Sequence, residues 1–262
     1  MIAIEKLKPV LADQAYPLCF VTLSGAHLYG FPSADSDYDL RGAHVLPLRE
    51  VIGFESGPQT IERAGSSGSV EVDLVTHDIK KFLSLLMKRN GYALEQLYSP
   101  LVVVTTPEHE ELKEVAKGCI TRNHHHHYLS FAENEWRSLS RKESRQVKTV
   151  LYLFRVLLSG IHLMRTGEVE ANLVRLNEEF ALPYIPDLIG RKTAGAENSP
   201  LAAAEVALYE QEYRRLRELL VESAEHSHLP NRGSAGQALN DLLIRTRFAY
   251  SETDTQGGTS SA

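Results

Sequence analysis

The segment VTLSGAHLYGFPSADSDYDLRG, residues 21–42, decides how this chain is interpreted. Its first residues are β-branched and apolar and predict a buried strand that ends just before Gly25. A short turn or helix bounded by glycines then runs as far as Gly30. A second strand begins with Asp37 and Asp39. Because residues i and i+2 of a strand point to the same face, the two carboxylates are expected side by side, next to the glycine-rich turn.

Two carboxylates in such a position favour a bound cation. Without one they repel each other, and one of them would tend to hold a proton. Mg²⁺ removes that cost and accepts carboxylate oxygens together with phosphate oxygens. The glycine turn can offer backbone N–H groups to the same phosphates. The pattern therefore indicates a site for Mg²⁺ and a ligand that carries phosphate.

A third acidic residue is expected to join them. The segment VEVDLV, residues 70–75, alternates between apolar and acidic residues and predicts a strand with Glu71 and Asp73 on one face. A buried carboxylate without a partner is costly, so Asp73 is expected to complete a two-metal site with Asp37 and Asp39. A D-x-D pair alone is also typical of a solvated strand end. The order of glycine turn, acid pair and third acid favours the metal site.

These features resemble the signature of the DNA polymerase β-type nucleotidyltransferase superfamily. The closest similarity is to the predicted bacterial nucleotidyltransferases of the RNA-repair-pathway group. The resemblance covers residues 18–167, is strongest at 21–42, and extends through a predicted helix at 79–90. The positions that carry it most specifically are Gly25, Tyr29, Gly30, Ser36, Asp37, Asp39, Arg41 and Gly42.

The resemblance implies an α/β (α+β) fold: a small mixed sheet with helices, followed by an all-helical C-terminal domain. It implies Mg²⁺-dependent transfer of a nucleotidyl group from an NTP to an acceptor hydroxyl, with attack at the α-phosphorus and release of pyrophosphate. The catalytic residues, which would also bind two Mg²⁺ ions (or Mn²⁺), are then Asp37, Asp39 and Asp73. The nucleotide-binding residues would be Ser24, Gly25, Tyr29, Gly30, Ser36 and Arg41.

The chain departs from the family at one position. Where the family has Gly-Ser, this chain has Gly25-Ala26, and Ser24 lies on the other side of the glycine. The resemblance implies that the family serine hydrogen-bonds the triphosphate, and Ala26 has no hydroxyl with which to do so. Either Ser24 or backbone N–H groups take over this task, or activity is reduced.

The chain as a whole divides into an α/β half and a helical half. Strands are predicted at 19–24, 37–46, 70–75 and 101–105, with a flexible hairpin or loop at 55–69. Helix caps are predicted at Asp78 and Thr106, and the helix after Asp78 is expected to stop at Asn90-Gly91.

Beyond residue 120 only helices are predicted. Two lie within 128–166, the second of them closed by Gly167; one is opened by Ser199-Pro200, and one lies at 235–249. The expected division is a nucleotidyltransferase catalytic domain at 1–120, a helical domain at 121–250 and a disordered tail at 251–262.

The composition is typical of a soluble globular protein, with 43% hydrophobic and 24% charged residues among 262. A net charge of -6 excludes a chain coated in basic residues, although a local basic patch is compatible with it. Cys19 and Cys119 fit no metal or disulfide spacing and are expected to be reduced, buried thiols. No signal-type segment is found, and the apolar run at 151–158 is short, so a cytoplasmic protein without a membrane span is expected.

Several basic and aromatic side chains allow two interpretations each. A basic stripe of Arg137, Arg141, Arg145 and Lys148, with Lys142 nearby, is either a solvated face or a track for nucleotide or RNA phosphates. Arg155, inside an apolar helix, requires an anionic partner or access to a cleft. Three aromatic side chains either stack on a base or pack in the core, namely Tyr128, Trp136 and Tyr152. The four histidines at 124–127 form a polar helix start, a metal site or a contact with an acidic substrate.

Two further functions stay open beside nucleotidyl transfer to RNA. A nucleotide-binding regulatory module without turnover is favoured by Ala26. A protein-modifying enzyme would transfer NMP to a side-chain hydroxyl, whereas the basic stripe favours RNA as the acceptor. The sequence indicates neither a base preference nor an oligomeric state.

Overall fold

The computed structural model describes residue 4 and residues 7–67, 70–141, 146–196 and 201–256. Its sheet is built from β1 (Leu18–Leu23), β2 (Tyr38–His44), β3 (Thr60–Ser67), β4 (Val70–Asp78) and β5 (Val102–Val104). The strands lie in the order β3-β4-β2-β1-β5. Only β2 and β4 pair in parallel, and the other neighbours are antiparallel. The sheet is therefore mixed.

Helices pack against the sheet and form most of the second half of the described chain. Those of the first half are α1 (Gly25–Tyr29), α2 (Leu48–Ile52), α3 (Ile79–Met87), α4 (Gly91–Leu97) and α5 (Pro107–Ala116). Those of the second half are α6 (His125–Ser140), α7 (Val147–Thr166), α8 (Leu173–Phe180), α9 (Tyr184–Arg191), α10 (Ala203–Glu225) and α11 (Gly236–Gln256). The predicted fold class, a small mixed sheet with helices followed by an all-helical part, is confirmed.

Local capping signals act where the sequence predicts them. The Asp78 carboxylate accepts the backbone N–H of Lys80 and begins α3, and the Thr106 hydroxyl accepts that of His109 and begins α5. Gly167 ends α7 with a left-handed φ of 78°. Ser199 and Pro200, the predicted start of a later helix, lie outside the described residues, and α10 begins at Ala203.

Three boundaries predicted from the sequence are wrong. The loop predicted at 55–69 contains β3, whose residues 62–65 are exposed because it is an edge strand and shows no apolar alternation. The helix after Asp78 ends at Met87, not at Asn90, because Asn90 caps the separate helix α4. The tail predicted to be disordered from 251 begins as helix, since α11 continues through Gln256; residues 257–262 lie outside the described part.

Two buried apolar clusters lie on opposite sides of the sheet. The smaller one packs the first turn of the chain against strand residues such as Val21, Leu40 and Leu74. The larger one joins the other face of the sheet to helices of both halves and includes Phe20 and Phe154. Cys19 and Cys119 are buried and unpaired.

The central helix α7 is long and apolar. It has 20 residues, and its most apolar stretch of 18 has a mean hydropathy of 1.4, so its length and composition alone would suffice for a membrane span. The apolar stretch is thus longer than the run 151–158 suggests. In the fold, 78% of that stretch is buried. α7 is therefore the core helix of the helical half.

The last helix returns to the α/β half through a buried ion pair. One guanidinium nitrogen of Arg247 on α11 lies 2.6 Å from each carboxylate oxygen of Asp78, and the other donates to the Leu46 carbonyl at 2.7 Å. Both side chains are only 5% exposed. Because Asp78 also caps α3, this pair fixes β4, α3 and α11 together.

We expect Arg247→Gln to lower the free energy of unfolding by about 3–5 kcal/mol, because it leaves the Asp78 carboxylate buried without its counter-ion. Arg245→Gln is the matched control on the same helix, where an exposed arginine pairs with exposed Glu111. Its cost should not exceed about 1 kcal/mol. Urea unfolding followed by circular dichroism measures both, and equal costs would contradict the assignment of the buried pair.

Candidate active site

The glycine turn and the acid pair meet where β1 ends. The Ser24 N–H donates to the Asp39 carbonyl at 2.8 Å, which ties the turn to β2. Gly25 has a left-handed φ of 59°, and a Cβ there would lie 1.8 Å from Oδ2 of Asp39. Only glycine therefore lets the Asp39 carboxylate approach the turn so closely.

Asp39 and Asp73 lie opposite each other in the parallel pairing of β2 and β4. One guanidinium nitrogen of Arg41 donates to Oδ1 of Asp39 at 2.7 Å and to Oδ2 of Asp73 at 2.8 Å. The other donates to the carbonyls of Leu40 and Asp73. The guanidinium thus stands between the two carboxylates and offsets part of their mutual repulsion.

Arg41 does not neutralise Asp39 completely. Burial raises the pKa of the Asp39 carboxyl above its ordinary value, and the charges of Asp73 and Asp37 raise it further, while Arg41 lowers it. Burial therefore outweighs the stabilisation that Arg41 gives to the ionised Asp39 carboxylate. Additional positive charge at this place would be stabilising.

Asp39 lies between two pockets. The larger has a volume of about 460 Å³, and Asp39 and Arg41 contribute to its wall together with His77 and residues of α4. The smaller has a volume of about 130 Å³ and is lined by Asp37, Asp39, Lys148 and Lys192 among others. The carboxylate thus faces a space lined by aromatic side chains, Arg41 and Lys81 on one side and a space with two lysines on the other.

The structure brings most of the predicted site residues together. Those on the larger pocket are Ser24, Gly25, Tyr29, Asp39 and Arg41. Those on the smaller pocket are Ser36, Asp37 and Asp39. Asp73 is linked to these residues by the Arg41 guanidinium, and 45% of the Asp73 side chain is exposed. Gly30 lines neither pocket; with a φ of 86° it ends α1, and a Cβ there would lie 2.5 Å from the side chain of Asn172.

The side chains fit one metal ion better than two. Among the described residues, no three His, Cys, Asp or Glu side chains are grouped so that they could hold an ion, and Arg41 occupies the space between Asp39 and Asp73. Asp37 and Asp39, however, share the wall of the smaller pocket. One or two carboxylates completed by phosphate oxygens and water form a common Mg²⁺ site. Two ions and the role of Asp73 as a metal ligand stay predictions.

Lys192 is a site residue that the sequence does not reveal. It lies 1% exposed just after α9, and its ammonium group donates to the Ser33 hydroxyl at 3.0 Å. The Ser33 hydroxyl in turn lies 2.9 Å from that of Ser36. A buried lysine next to two carboxylates places positive charge where phosphate oxygens would lie. No local pattern marks it, because only the packing of α9 against the turn brings it to the site.

His77 is a second unforeseen residue, on the wall of the larger pocket. Burial, together with the positive charge of Lys81, lowers the pKa of His77 to about 4, so its imidazole is neutral at neutral pH. Its ring nitrogen lies 3.2 Å from the Thr60 hydroxyl. The β4 pattern that placed Asp73 could have found it, since His77 is four residues farther along the same face.

A buried ion pair lies beneath the larger pocket. The Arg155 guanidinium on α7 donates to Glu95 on α4 at 2.7 Å, and both side chains are 2% exposed or less. The same guanidinium lies 4.0 Å from the ring centre of Tyr29, whose hydroxyl donates to Glu95 at 3.5 Å. The anionic partner predicted for Arg155 is thus Glu95, and Tyr29 reaches the pocket from a buried position as part of this network.

Some of the other basic and aromatic candidates have structural partners. Arg137 is exposed and bonds to Asn134, whereas Lys142 and Arg145 lie outside the described residues. Trp136 stacks on Tyr213 at 5.0 Å, as core packing predicts. Of the histidine run, residue 124 is buried and residue 126 is exposed, and the helix begins at residue 125, as expected for a polar helix start.

Comparison with known proteins identifies the family of this chain. The model of the RNA repair pathway DNA polymerase beta family matches residues 2–245, which confirms the resemblance found in the sequence. An uncharacterized protein of Bacillus subtilis, YcgL, is 26% identical over 256 residues, which are 93% of this chain and 94% of that protein.

An uncharacterized protein of Methanocaldococcus jannaschii is 31% identical over 153 residues, which are 58% of this chain. The matched segment spans 63% of the archaeal protein, less than two thirds of its length.

The buried pair beneath the pocket makes a prediction about stability. We expect Arg155→Met to lower the free energy of unfolding by about 3–5 kcal/mol, because Glu95 is then a buried charge without a partner. The double variant Arg155→Met, Glu95→Leu should be more stable than Arg155→Met alone, because both charges are gone. Guanidinium unfolding of the wild type, both single variants and the double variant measures this; additive losses would show that the two side chains do not interact.

Proposed function

We propose that this chain, which belongs to the RNA repair pathway DNA polymerase beta family, is an Mg²⁺-dependent nucleotidyltransferase that transfers a nucleotidyl group from an NTP to a hydroxyl group of RNA. The observation that carries this proposal is the position of Asp39 between a pocket with two lysines and a larger pocket that is lined by Arg41, the hydrogen-bond partner of Asp73. Such an arrangement allows a triphosphate and an acceptor to approach one carboxylate from two sides.

The smaller pocket suits the triphosphate. Lys148 and Lys192 offer positive charge, Ser33 and Ser36 offer hydroxyl groups, and the turn after Gly25 lies on the same side. Asp37 and Asp39 would hold Mg²⁺ at the entrance, and Mn²⁺ should replace it. When bound, the ion neutralises the charge that builds up on the phosphate oxygens during transfer.

The larger pocket suits the acceptor. Arg41 holds Oδ2 of Asp73, which leaves Oδ1 of Asp73 to accept the proton of the acceptor hydroxyl. The acceptor oxygen then forms a bond to the α-phosphorus, the bond from that phosphorus to the pyrophosphate oxygen breaks, and pyrophosphate leaves with its electron pair. The neutral imidazole of His77 is available to hydrogen-bond the acceptor on the same wall. A second metal ion beside Asp73 requires the Arg41 guanidinium to withdraw.

A second candidate function is a nucleotide-binding regulatory module without turnover. Two observations favour it: Ala26 lines the smaller pocket without a hydroxyl group, and Arg41 already bridges the carboxylates of Asp39 and Asp73. Titration with each NTP in the presence and absence of Mg²⁺, together with a turnover assay, distinguishes the two functions. We also propose a cytoplasmic location, which the two unpaired, buried cysteines support.

Asp39→Asn should abolish Mg²⁺-dependent transfer, because the amide cannot hold the cation, while the fold is kept or slightly stabilised. The gain is expected because burial raises the pKa of Asp39, so the neutral side chain is easier to bury. Incorporation of each α-labelled NTP into total RNA and protein, followed by gel separation, measures transfer. Glu71→Gln is the matched control, since Glu71 lies on the same strand as Asp73 but is exposed.

Wild-type activity in Glu71→Gln together with loss in Asp39→Asn supports the proposal. Equal activity of both variants would reject it. Labelled protein in place of labelled RNA would identify the protein-modifying function, and NTP binding without any labelled product would identify the regulatory module.

Ala26→Ser should tighten NTP binding by roughly tenfold, because a hydrogen bond to a charged oxygen contributes about 1.5–3 kcal/mol. Ala26→Cys is the control for size, since a thiol is a weak donor, and it should change the affinity little. Isothermal titration with NTP and Mg²⁺ measures both variants. If Ala26→Ser weakens NTP binding instead, the smaller pocket does not hold the triphosphate.

A further inference from the structure

The loop between α3 and α4 contains an arginine in a backbone conformation that usually belongs to glycine. Arg89 has a φ of 61°. Its N–H donates to the Leu86 carbonyl at 3.1 Å, and the N–H of Asn90 donates to the Leu85 carbonyl at 3.1 Å. These two bonds form the usual glycine-terminated end of a helix. An L-residue other than Asn or Asp is disfavoured at this position.

No contact in the described part of the chain explains why position 89 is an arginine. The Arg89 side chain is exposed, and it makes no hydrogen bond or ion pair with any of the described residues. A charged side chain that costs backbone strain and stabilises nothing in the fold points to a ligand outside the fold.

The loop lies at the mouth of the larger pocket. Asn90 and Tyr92, which follow Arg89, line that pocket. A Cβ at Gly91 would lie 2.9 Å from the ring of His127, and the His127 ring meets that of Tyr92 edge-on at 5.6 Å. The start of α6 therefore packs against this loop. His126, one residue before His127, is exposed and lies in the first turn of α6, the end of the helix that packs against this loop.

We propose that Arg89 and the imidazole of His126 form a rim at the mouth of the larger pocket that binds backbone phosphates of a single-stranded RNA acceptor, with the positive charge carried by the Arg89 guanidinium. The inference rests on the proposed function, because the larger pocket is there assigned to the acceptor. The phosphates that precede the terminal nucleotide would meet the rim, while the end of the strand enters the pocket. The rim thus defines the path by which the acceptor reaches the larger pocket, and it assigns a function to one of the four histidines.

The chemistry of the rim favours RNA over an acidic protein. A guanidinium recognises phosphate through two parallel hydrogen bonds, and an adjacent imidazole adds a donor. Tyr92 lies next to the rim on the pocket wall, where a base can stack on an aromatic ring. The net charge of -6 means that the chain as a whole repels RNA, so local contacts of this kind must supply the attraction.

Because the backbone at Arg89 is strained, a single substitution is expected to raise thermal stability and at the same time to weaken RNA binding. Arg89→Gly removes both the strain and the charge, so the midpoint of thermal unfolding should rise while RNA binding weakens. Arg89→Gln removes the charge alone and should weaken RNA binding without raising the midpoint. Ala181→Gly is the matched backbone control, since Ala181 has a φ of 51° at the exposed end of α8. It should raise the midpoint and leave RNA binding unchanged.

Binding is measured by fluorescence anisotropy with a labelled single-stranded oligouridine, without NTP, over a series of potassium chloride concentrations. Each lost phosphate contact should reduce the slope of log affinity against log salt by about 0.7 for a single strand. Arg165→Gln is the charge control, because Arg165 lies thirteen residues beyond Tyr152 on α7, about 20 Å along the helix. It should leave the slope unchanged.

A reduced slope in Arg89→Gly and Arg89→Gln, with unchanged slopes in both controls, supports the rim. An unchanged slope in the Arg89 variants overturns it, as does an equal reduction in Arg165→Gln. If oligoglutamate displaces the RNA with the same dependence on Arg89, the rim recognises negative charge in general and the assignment to RNA is wrong. If the protein transfers a nucleotidyl group to RNA but the salt dependence of RNA binding does not change in the Arg89 variants, the rim is rejected and the proposed function is not. An Arg89-dependent slope without any transfer would reject the proposed function alone.

Discussion

The ion pair between Arg155 and Glu95 is the interaction on which the site depends. It links α7, the core of the helical half, to α4 of the α/β half, and it lies directly beneath the larger pocket. Two charges so deeply buried are stable only together, because each alone would carry the full cost of lost hydration. Tyr29 extends the network to the glycine turn. The turn, and with it the approach to Asp39, is thereby fixed relative to the helices.

The site itself is organised around closely spaced carboxylates and the cations that stand beside them. Arg41 bridges Asp39 and Asp73, and Lys148 and Lys192 line the wall on the other side of Asp39. These cations keep the carboxylates close together in the absence of any ligand. When a metal ion binds together with a polyphosphate, the side-chain cations are expected to shift, because the metal ion then neutralises part of the charge of the carboxylates.

Part of this could be predicted from the sequence, and the reason is periodicity. The alternation at 70–75 placed Asp73 on β4, and the D-x-D spacing placed Asp39 on β2, with Asp37 one residue before the strand begins. Caps at Asp78 and Thr106 were equally local. β3 escaped prediction because an edge strand has no buried face to impose a pattern. The end of α3 escaped it because Arg89 adopts a conformation that the residue type disfavours.

The sequence by itself determined the fold class, the family and the identity of the acidic residues, because each depends on neighbours a few positions apart. Only the tertiary structure decided what stands around those acids. Arg41 between the carboxylates, Lys192 beside Ser33 and Glu95 as the partner of Arg155 all arise from residues that come together when separate elements pack. Such contacts are set by the burial of the shared core and by the need to pair every buried charge, and no local pattern records them.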